Sequence, residues 1–183
     1  MTYTISSSDV DILRRAGVSE DDITHSVKVA EKALEIARRI GVSSIDQELV
    51  GRGGLFHDLG KCKTHEMEHG RIGAELGKTI GLPGEITSIM EKHIRGGLTT
   101  DEARELGLPV KDYTLRKLEE RIVIYADRLV DIIHDGIVKV ATEHEAEVRF
   151  EEILRNYPKY GKNQITLDRY LGYHREIQGL MNR

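Results

Sequence analysis

The sequence predicts an all-α protein, a single-domain helical bundle over residues 1–183. Apolar residues recur at helical spacing in nearly every segment with a clear period, and no segment alternates as a half-buried strand does. The chain is 39% hydrophobic and 32% charged, which suits one globular domain with a substantial core. The strongest helical patterns fall in a core of about residues 22–135, with helical extensions on both sides.

The first two helices are delimited by capping signals. The first is predicted over residues 8–16, where Ser8 begins a capping-box pattern and Gly17 is a typical C-terminal cap. The second is predicted over residues 23–40 and has His25 one turn before its apolar face. That face contains Val29, Ala33, Ile36 and Ile40.

The next three helices each carry a histidine on the face that we expect to be buried. The third begins after Ser43 or Ser44 and continues to His57. The fourth begins near Glu68, and the fifth begins at Pro83, a favoured first helical position. The histidines on these three faces are His57, His69 and His93.

The C-terminal half is predicted to be helical as well. Thr99 or Thr100 caps a short helix, and residues 115–134 form a helix that is apolar on most sides, as a central helix should be. Two further helices are predicted over residues 143–156, closed by Pro158, and over residues 167–181.

Composition excludes several classes of protein. The formal net charge of −4 gives no general basic field for long nucleic acid. The single cysteine, Cys62, cannot form an intramolecular disulfide, and we interpret it as a packing residue. The N-terminus lacks the pattern of a signal peptide and no apolar run approaches the ~20 residues of a membrane span, so a cytoplasmic location without membrane association is expected.

Four positions interrupt apolar faces with polar groups: His25, the pair His57 and Asp58, His93, and Asp127. A buried carboxylate is costly unless it is paired or binds a metal. For Asp127 alone, an ion pair with Arg128 or with a lysine of another helix is an adequate explanation. Taken together, imidazole nitrogens and carboxylate oxygens favour a divalent metal such as Mn, Fe, Co, Ni or Zn.

Three glycines inside the third predicted helix need an explanation. Gly51, Gly53 and Gly54 each cost about 0.5–1 kcal/mol relative to alanine in a helix. Close approach of a neighbouring helix, which would draw His25 and Asp127 toward His57, is the simplest reason. A break or a later start of the helix is the alternative.

The spacing of His25, HDLGK at residues 57–61 and Asp127 resembles the H…HD…D signature of the HD-domain superfamily of metal-dependent phosphohydrolases. The segment HDLGKCKTHEMEHGRIGAEL is similar to the HD domain of bacterial ribonuclease Y. Residues 22–135 look most like a group of small archaeal HD proteins without an assigned substrate.

The resemblance implies a helical bundle in which one metal ion is bound by His25, His57, Asp58 and Asp127. In members with two metals, Asp58 would bridge the ions and His69 and His93 match the additional ligands. His65 is expected beside the ligands rather than among them. Two departures matter. Ile94 stands where many two-metal members have a second histidine, so one ion or two stays open, and IRGGL lacks the GYP-type element of the cyclic di-GMP-specific subgroup.

We expect a metal-dependent phosphohydrolase that uses a metal-activated water on a nucleotide or another small phosphate ester. Asp58 would orient the water or accept its proton, and Lys61 would neutralise developing phosphate charge. A di-iron HD-type oxygenase, or a catalytically silent module that senses nucleotide or metal, is the alternative. The expected partner is a small phosphorylated substrate, and the oligomeric state, a homo-oligomer included, stays open.

Basic and aromatic residues outside the motif have two readings. Lys92, Arg95 and Arg128 lie near predicted ligands and could contact phosphate, although such residues often form a solvated face. In the C-terminal segment, tyrosines interleave with basic residues, which could stack a base and hold phosphate or could pack a helix onto the bundle. The residues of this segment are Tyr157, Lys159, Tyr160, Lys162, Arg169, Tyr170, Tyr173 and Arg175.

Overall fold

The computed structural model describes residues 3–183. Its regular elements are all helical, and no strand occurs within those residues, so the all-α prediction is confirmed. Two 3-10 segments, Leu59–Cys62 and Ile94–Gly96, join neighbouring helices. The α-helices are α1 (Ser7–Ala16), α2 (Glu20–Ile40), α3 (Gln47–Phe56), α4 (His69–Thr79), α5 (Gly84–Lys92), α6 (Thr100–Glu105), α7 (Leu118–His134), α8 (Glu143–Val148), α9 (Phe150–Asn156), α10 (Pro158–Gly161) and α11 (Gln164–Met181).

The N-terminal capping prediction was right about the end of α1 and wrong about its start. Gly17 and Gly41 both end helices in the left-handed conformation, with φ of 89° and 69°. The N-cap of α1 is Ser6, whose extended backbone lets its Oγ accept the N–H of Ser8 at 3.1 Å. Ser8 is already helical and therefore cannot be the cap.

The central helix begins later than predicted. Glu120 accepts the backbone N–H groups of Arg116 and Lys117 at 2.6 and 3.0 Å, which holds the preceding chain extended until Leu118. Thr99 does cap α6, in a reciprocal pair with Glu102.

The C-terminal helices also differ from the prediction. The helix expected over residues 143–156 divides into α8 and α9 because the backbone of Arg149 leaves helical geometry, with φ of −91° and ψ of 7°. Pro158 begins α10 at a first helical position rather than only ending the helix before it. The last helix starts at Gln164, where the Asn163 side chain accepts the N–H of Thr166 at 2.9 Å.

Helix α7 lies at the centre of the bundle. Its residues 122–126 are fully buried, and α2 and α3 pack against it and against each other. Helices α4 and α5 pair on one side of this group, and α11 packs against α2 and α7. Residues 3–183 include no helix with both the length and the apolar character that crossing a bilayer requires.

The close approach predicted at the α3 glycines is present. A Cβ built on Gly54 would lie 2.8 Å from the Cα of Ala30 in α2, and one on Gly53 would lie 2.6 Å from the Cδ1 of Ile89 in α5. The Gly54 contact is with backbone, which cannot swing aside. Glycine at position 54 therefore sets the distance between α2 and α3, and with it the distance between His25 and His57.

Gly54→Ala is expected to lower the free energy of unfolding by about 1–3 kcal/mol, because overpacking against backbone outweighs the gain in helix propensity. Chemical denaturation measures the change. Gly179→Ala in α11 is the matched control, because a Cβ there meets nothing within 4 Å. That variant should be unchanged or slightly more stable, and equal effects from the two substitutions would contradict the close-contact explanation.

Candidate metal centre

Five helical elements bring the predicted metal ligands together beside one open cavity of about 320 Å³. Each side chain comes from a helix end or from a point where two helices are close. The sources are α2 for His25, the end of α3 for His57 and Asp58, the start of α4 for His69, the end of α5 for His93 and the middle of α7 for Asp127.

Asp58 lies between two sets of histidines. Its Oδ2 is 3.3 Å from the Nε2 of His57 and 3.7 Å from that of His25. Its Oδ1 is 3.1 Å from the Nε2 of His69 and 3.3 Å from that of His93. The side chain is only 4% exposed. One buried carboxylate thus presents a different oxygen to each set.

Asp127 lies beside the first set of histidines, His25 and His57. Its Oδ1 is 2.9 Å from the Nε2 of His25 and 3.5 Å from that of His57. The explanation of Asp127 by an ion pair with Arg128 or a lysine is wrong, since no lysine or arginine in residues 3–183 lies within ion-pairing distance of this carboxylate. Arg128 points instead toward Asp131 and Tyr170.

The tautomers of three histidines follow from their backbone partners. The Nδ1 atoms of His57, His69 and His93 each lie 2.7 Å from the carbonyl oxygen three residues earlier in the chain. Because a carbonyl only accepts, each Nδ1 carries a proton and donates it. In the neutral ring the Nε2 lone pair is then directed at Asp58 and its surroundings, the arrangement found in histidines that bind metals.

These donor atoms fit a cation. The Nε2 atoms of His69 and His93 face each other at 2.8 Å, where two lone pairs repel unless a proton or an ion lies between them. The Nε2 of His57 is buried and makes no hydrogen bond within the described part of the chain. Ligands about 2.1 Å from an ion at tetrahedral or octahedral angles are ~3.0–3.4 Å apart, close to the separations seen here. Among residues 3–183, three groups have ligand atoms within 4.8 Å of one another: His25, His57, Asp58; Asp58, His69, His93; and His25, Asp127, Asp131.

The electrostatics of the cluster favour ionised carboxylates. Burial alone would raise the pKa of Asp58 and Asp127, but the adjacent histidines hold both values well below the usual range. Burial alone would lower the pKa of His57, but Asp58 and Asp127 raise it well above its ordinary value. These carboxylates therefore favour a proton on His57 in the metal-free protein.

Metal binding is expected to release protons. The raised pKa favours a proton on His57 in the metal-free protein, and an ion that binds its Nε2 must displace that proton, so binding should release protons and affinity should rise with pH. Calorimetric titration of Mn²⁺ in buffers of different ionisation enthalpy counts the protons. The control variant is His65→Gln, at an exposed histidine, which should release as many protons as the wild type. Binding without proton release would contradict the assignment.

Asp131 is a site residue that the sequence analysis missed. Its Oδ1 faces the Nδ1 of His25 at 3.9 Å, the ring nitrogen that in the other three histidines donates to a carbonyl. Burial, followed by the charge of Asp127, raises the pKa of Asp131 to about 7. The available signal was its position one helical turn after Asp127 in α7.

The HDLGK motif also has a steric role. A Cβ on Gly60 would lie 1.9 Å from the carbonyl oxygen of His69, so only glycine lets the start of α4 approach the motif. Lys61 Nζ lies 2.7 Å from Asp58 Oδ2. The motif thus supplies two ligand candidates, a close contact and a cation within five residues.

The remaining candidates divide between structural and cavity positions. Lys92 is paired with Glu120 at 2.9 Å and lies outside the cavity, and His65 is 3.1 Å from Asp22 at its rim. Cys62 packs against the core. Tyr160 and Tyr170 are buried, which supports the packing interpretation for these two tyrosines, although Tyr170 also lines the cavity.

Comparison with known proteins identifies the family. The HD-domain family model matches residues 22–130. The chain is 37% identical over 166 residues to an uncharacterised protein of Methanocaldococcus jannaschii, covering 89% of this chain and 91% of that protein. It is 34% identical over 151 residues to a tRNA (cytidine(56)-2'-O)-methyltransferase of Picrophilus torridus, where the match covers 73% of this chain but 43% of the methyltransferase.

Two further matches concern the HD fold itself. A ribonuclease Y of Pseudothermotoga lettingae is 35% identical over 81 residues, 43% of this chain and 15% of that enzyme. The crystal structure of the HD domain of the L. monocytogenes phosphodiesterase PgpH, in complex with cyclic-di-AMP, superposes with a TM-score of 0.61 at 16% identity, covering 94% of this chain and 95% of that one. The family match and the relative aligned along nearly all of its length agree with the cluster geometry: the chain belongs to the HD-domain family.

Proposed function

We propose that this chain is a metal-dependent phosphohydrolase that cleaves a phosphodiester in a small nucleotide. The observation that carries the proposal is Asp58, whose two oxygens face two separate sets of histidines. His25, His57 and Asp127 would hold a first ion, and His69 and His93 would hold a second. When bound, such ions lower the pKa of a water and offset charge on both the attacking and leaving oxygens of a phosphodiester.

The side chains around the cluster suit this chemistry. The lowered pKa of Asp58 makes it a ligand rather than a proton acceptor near neutral pH. Burial alone would lower the pKa of Lys61, but the neighbouring Asp58 raises it above its ordinary value. The ammonium therefore stays charged and can offset charge on a phosphate. Ile94, where many two-metal members have histidine, packs against Leu98 and Tyr113 instead, so His69 and His93 are the ligands left for a second ion.

The relatives support the substrate class. Ribonuclease Y and PgpH are named for cleavage of phosphodiesters, and the PgpH domain was solved with a cyclic dinucleotide. A cavity of about 320 Å³ is near the lower end of small-ligand pockets, which favours a small nucleotide over a long polymer. Methyl transfer is not proposed, because most of each methyltransferase relative lies outside its match to this chain.

A substrate panel tests the proposal. With Mn²⁺ present, we expect the dinucleotide ApA to be hydrolysed faster than AMP, and chelation to stop both reactions. Product is measured by anion-exchange chromatography. Absence of phosphate ester cleavage across the panel would overturn the proposal. Purification with iron and a spectral change on exposure to oxygen would then favour the oxygenase alternative.

A further inference from the structure

Besides Lys61, three basic residues line the same cavity as the histidine and aspartate cluster: Arg95, Arg128 and Lys162. Unlike Lys61, which is paired with Asp58, neither Arg95 nor Lys162 has a carboxylate of residues 3–183 within ion-pairing distance. Their charge is therefore not needed to balance the carboxylates of the cluster.

The backbone at two of these positions is unusual. Within the described part of the chain, Arg95 and Lys162 are the non-glycine residues with positive φ, at 49° and 62°. Side chains with a Cβ rarely adopt this conformation, and such residues concentrate at functional sites. Both of them are basic and both reach one cavity.

Helix α11 holds Arg95 in this conformation. The guanidinium of Arg169 donates to the carbonyl oxygen of Arg95 at 3.0 Å, and the hydroxyl of Tyr173 donates to that of Gly96 at 2.7 Å. Lys162 directly precedes Asn163, the N-cap of the same helix. The family match ends at residue 130. The segment after it thus supplies Lys162 and also holds the backbone of Arg95 in place.

Arg128 offers a buried donor with no acceptor. The residue is 8% exposed, its Nη2 donates to the Tyr170 hydroxyl at 3.1 Å, and its guanidinium lies 4.6 Å from the centre of that ring. Its Nη1 is 3.7 Å from Asp131, but its Nε is buried and has no hydrogen-bond partner among residues 3–183. The Arg128 guanidinium therefore lines the cavity with part of its hydrogen-bonding capacity unused, which suits an anionic ligand.

The three cations are close enough to affect one another. Partial desolvation, followed by the positive charges of Arg128 and Arg95, lowers the pKa of Lys162. An anion bound among them would remove this repulsion, and guanidinium and ammonium groups together are well suited to phosphate.

We propose that Arg95, Arg128 and Lys162 form a second phosphate subsite, which holds a phosphate of the substrate other than the one that is hydrolysed. The inference rests on the proposed function and narrows its substrate to a nucleotide with at least two phosphates, such as a short oligonucleotide bearing a 5'-phosphate. The subsite selects this substrate by charge and does not take part in bond cleavage.

The test compares pApA with ApA, which differ only in the 5'-phosphate. The Mn²⁺-loaded wild type should show a kcat/KM at least about tenfold higher for pApA. In the double variant Arg95→Met, Lys162→Met, the ratio of the two kcat/KM values should fall toward one. The control double variant, Arg15→Met, Lys78→Met, removes the same charge at exposed positions outside the cavity and should keep the wild-type ratio.

The outcomes separate this inference from the proposed function. Equal hydrolysis of ApA and pApA by the wild type, or an unchanged ratio in the Arg95 and Lys162 variant, would overturn the subsite while leaving the phosphohydrolase proposal intact. If neither compound is cleaved, the same Mn²⁺-loaded protein is titrated calorimetrically with both. Tighter binding of pApA that is lost in the variant would still establish the subsite, and equal binding would refute it.

Discussion

Asp58→Asn is expected to lower metal-dependent phosphohydrolysis by about 1,000-fold or more. Asparagine has nearly the shape of aspartate but offers one neutral oxygen and an NH₂ donor. In the wild-type arrangement, Oδ2 faces His25 and His57 while Oδ1 faces His69 and His93. The variant cannot present an anionic oxygen to both sets, so bound metal should fall below the wild-type stoichiometry along with activity.

The measurement pairs initial rates on ApA with metal content by mass spectrometry. Asp101→Asn is the matched control, because this substitution removes the same charge from a side chain that is 85% exposed on α6. Circular dichroism and thermal unfolding show whether the variant keeps its fold. Activity within tenfold of wild type, with unchanged metal content, would contradict the central role of Asp58.

The sequence could predict this cluster of side chains because the signals for it are local. Each ligand candidate stands on an otherwise apolar helical face, and a charged or imidazole group there needs a partner. Periodicity therefore identified His25, His57, His93 and Asp127 as a group, and HDLGK linked them to a family. The glycine argument correctly anticipated that α2 and α3 approach each other at Gly54.

Other features depend on contacts distant in sequence. Three consecutive serines, at positions 6–8, are equivalent as N-caps until the packing of α1 selects Ser6. The start of α7 depends on how Glu120 binds the chain before it. Asp131 and Lys162 have no motif around them, and only the packing of α7 and α11 brings them to the cavity.

The motif and the C-terminal segment have different functions in this interpretation. Residues 22–130 match the HD family and contain all six metal ligands that the sequence predicts. The chain beyond this range contributes Lys162 and Tyr170 to the cavity, and Arg169 donates to the backbone carbonyl oxygen of Arg95. The family region would thus determine the chemistry, and the extension would determine which phosphate ester is accepted.

His69→Ala and His93→Ala are each expected to remove one of two metal ions and to lower ApA hydrolysis by about 100-fold. Both rings face Asp58 Oδ1 and each other, while His25 and His57 face its Oδ2 and Asp127 contacts these two histidines. Loss of either ring leaves the ligands of the first ion, His25, His57 and Asp127, in place. One ion should therefore stay bound, and hydrolysis of AMP should decline less than hydrolysis of ApA because a diester benefits more from two ions.

Metal content and the ratio of ApA to AMP hydrolysis decide between one ion and two. His144→Ala, an exposed histidine of α8, controls for the loss of an imidazole and should bind metal as the wild type does. Combining His69→Ala with His93→Ala should add little to either single change, since both rings would serve the same ion. Loss of all metal, or no loss, in the single variants would instead mean that Asp58 does not bridge two ions, and the diester preference would then need another explanation.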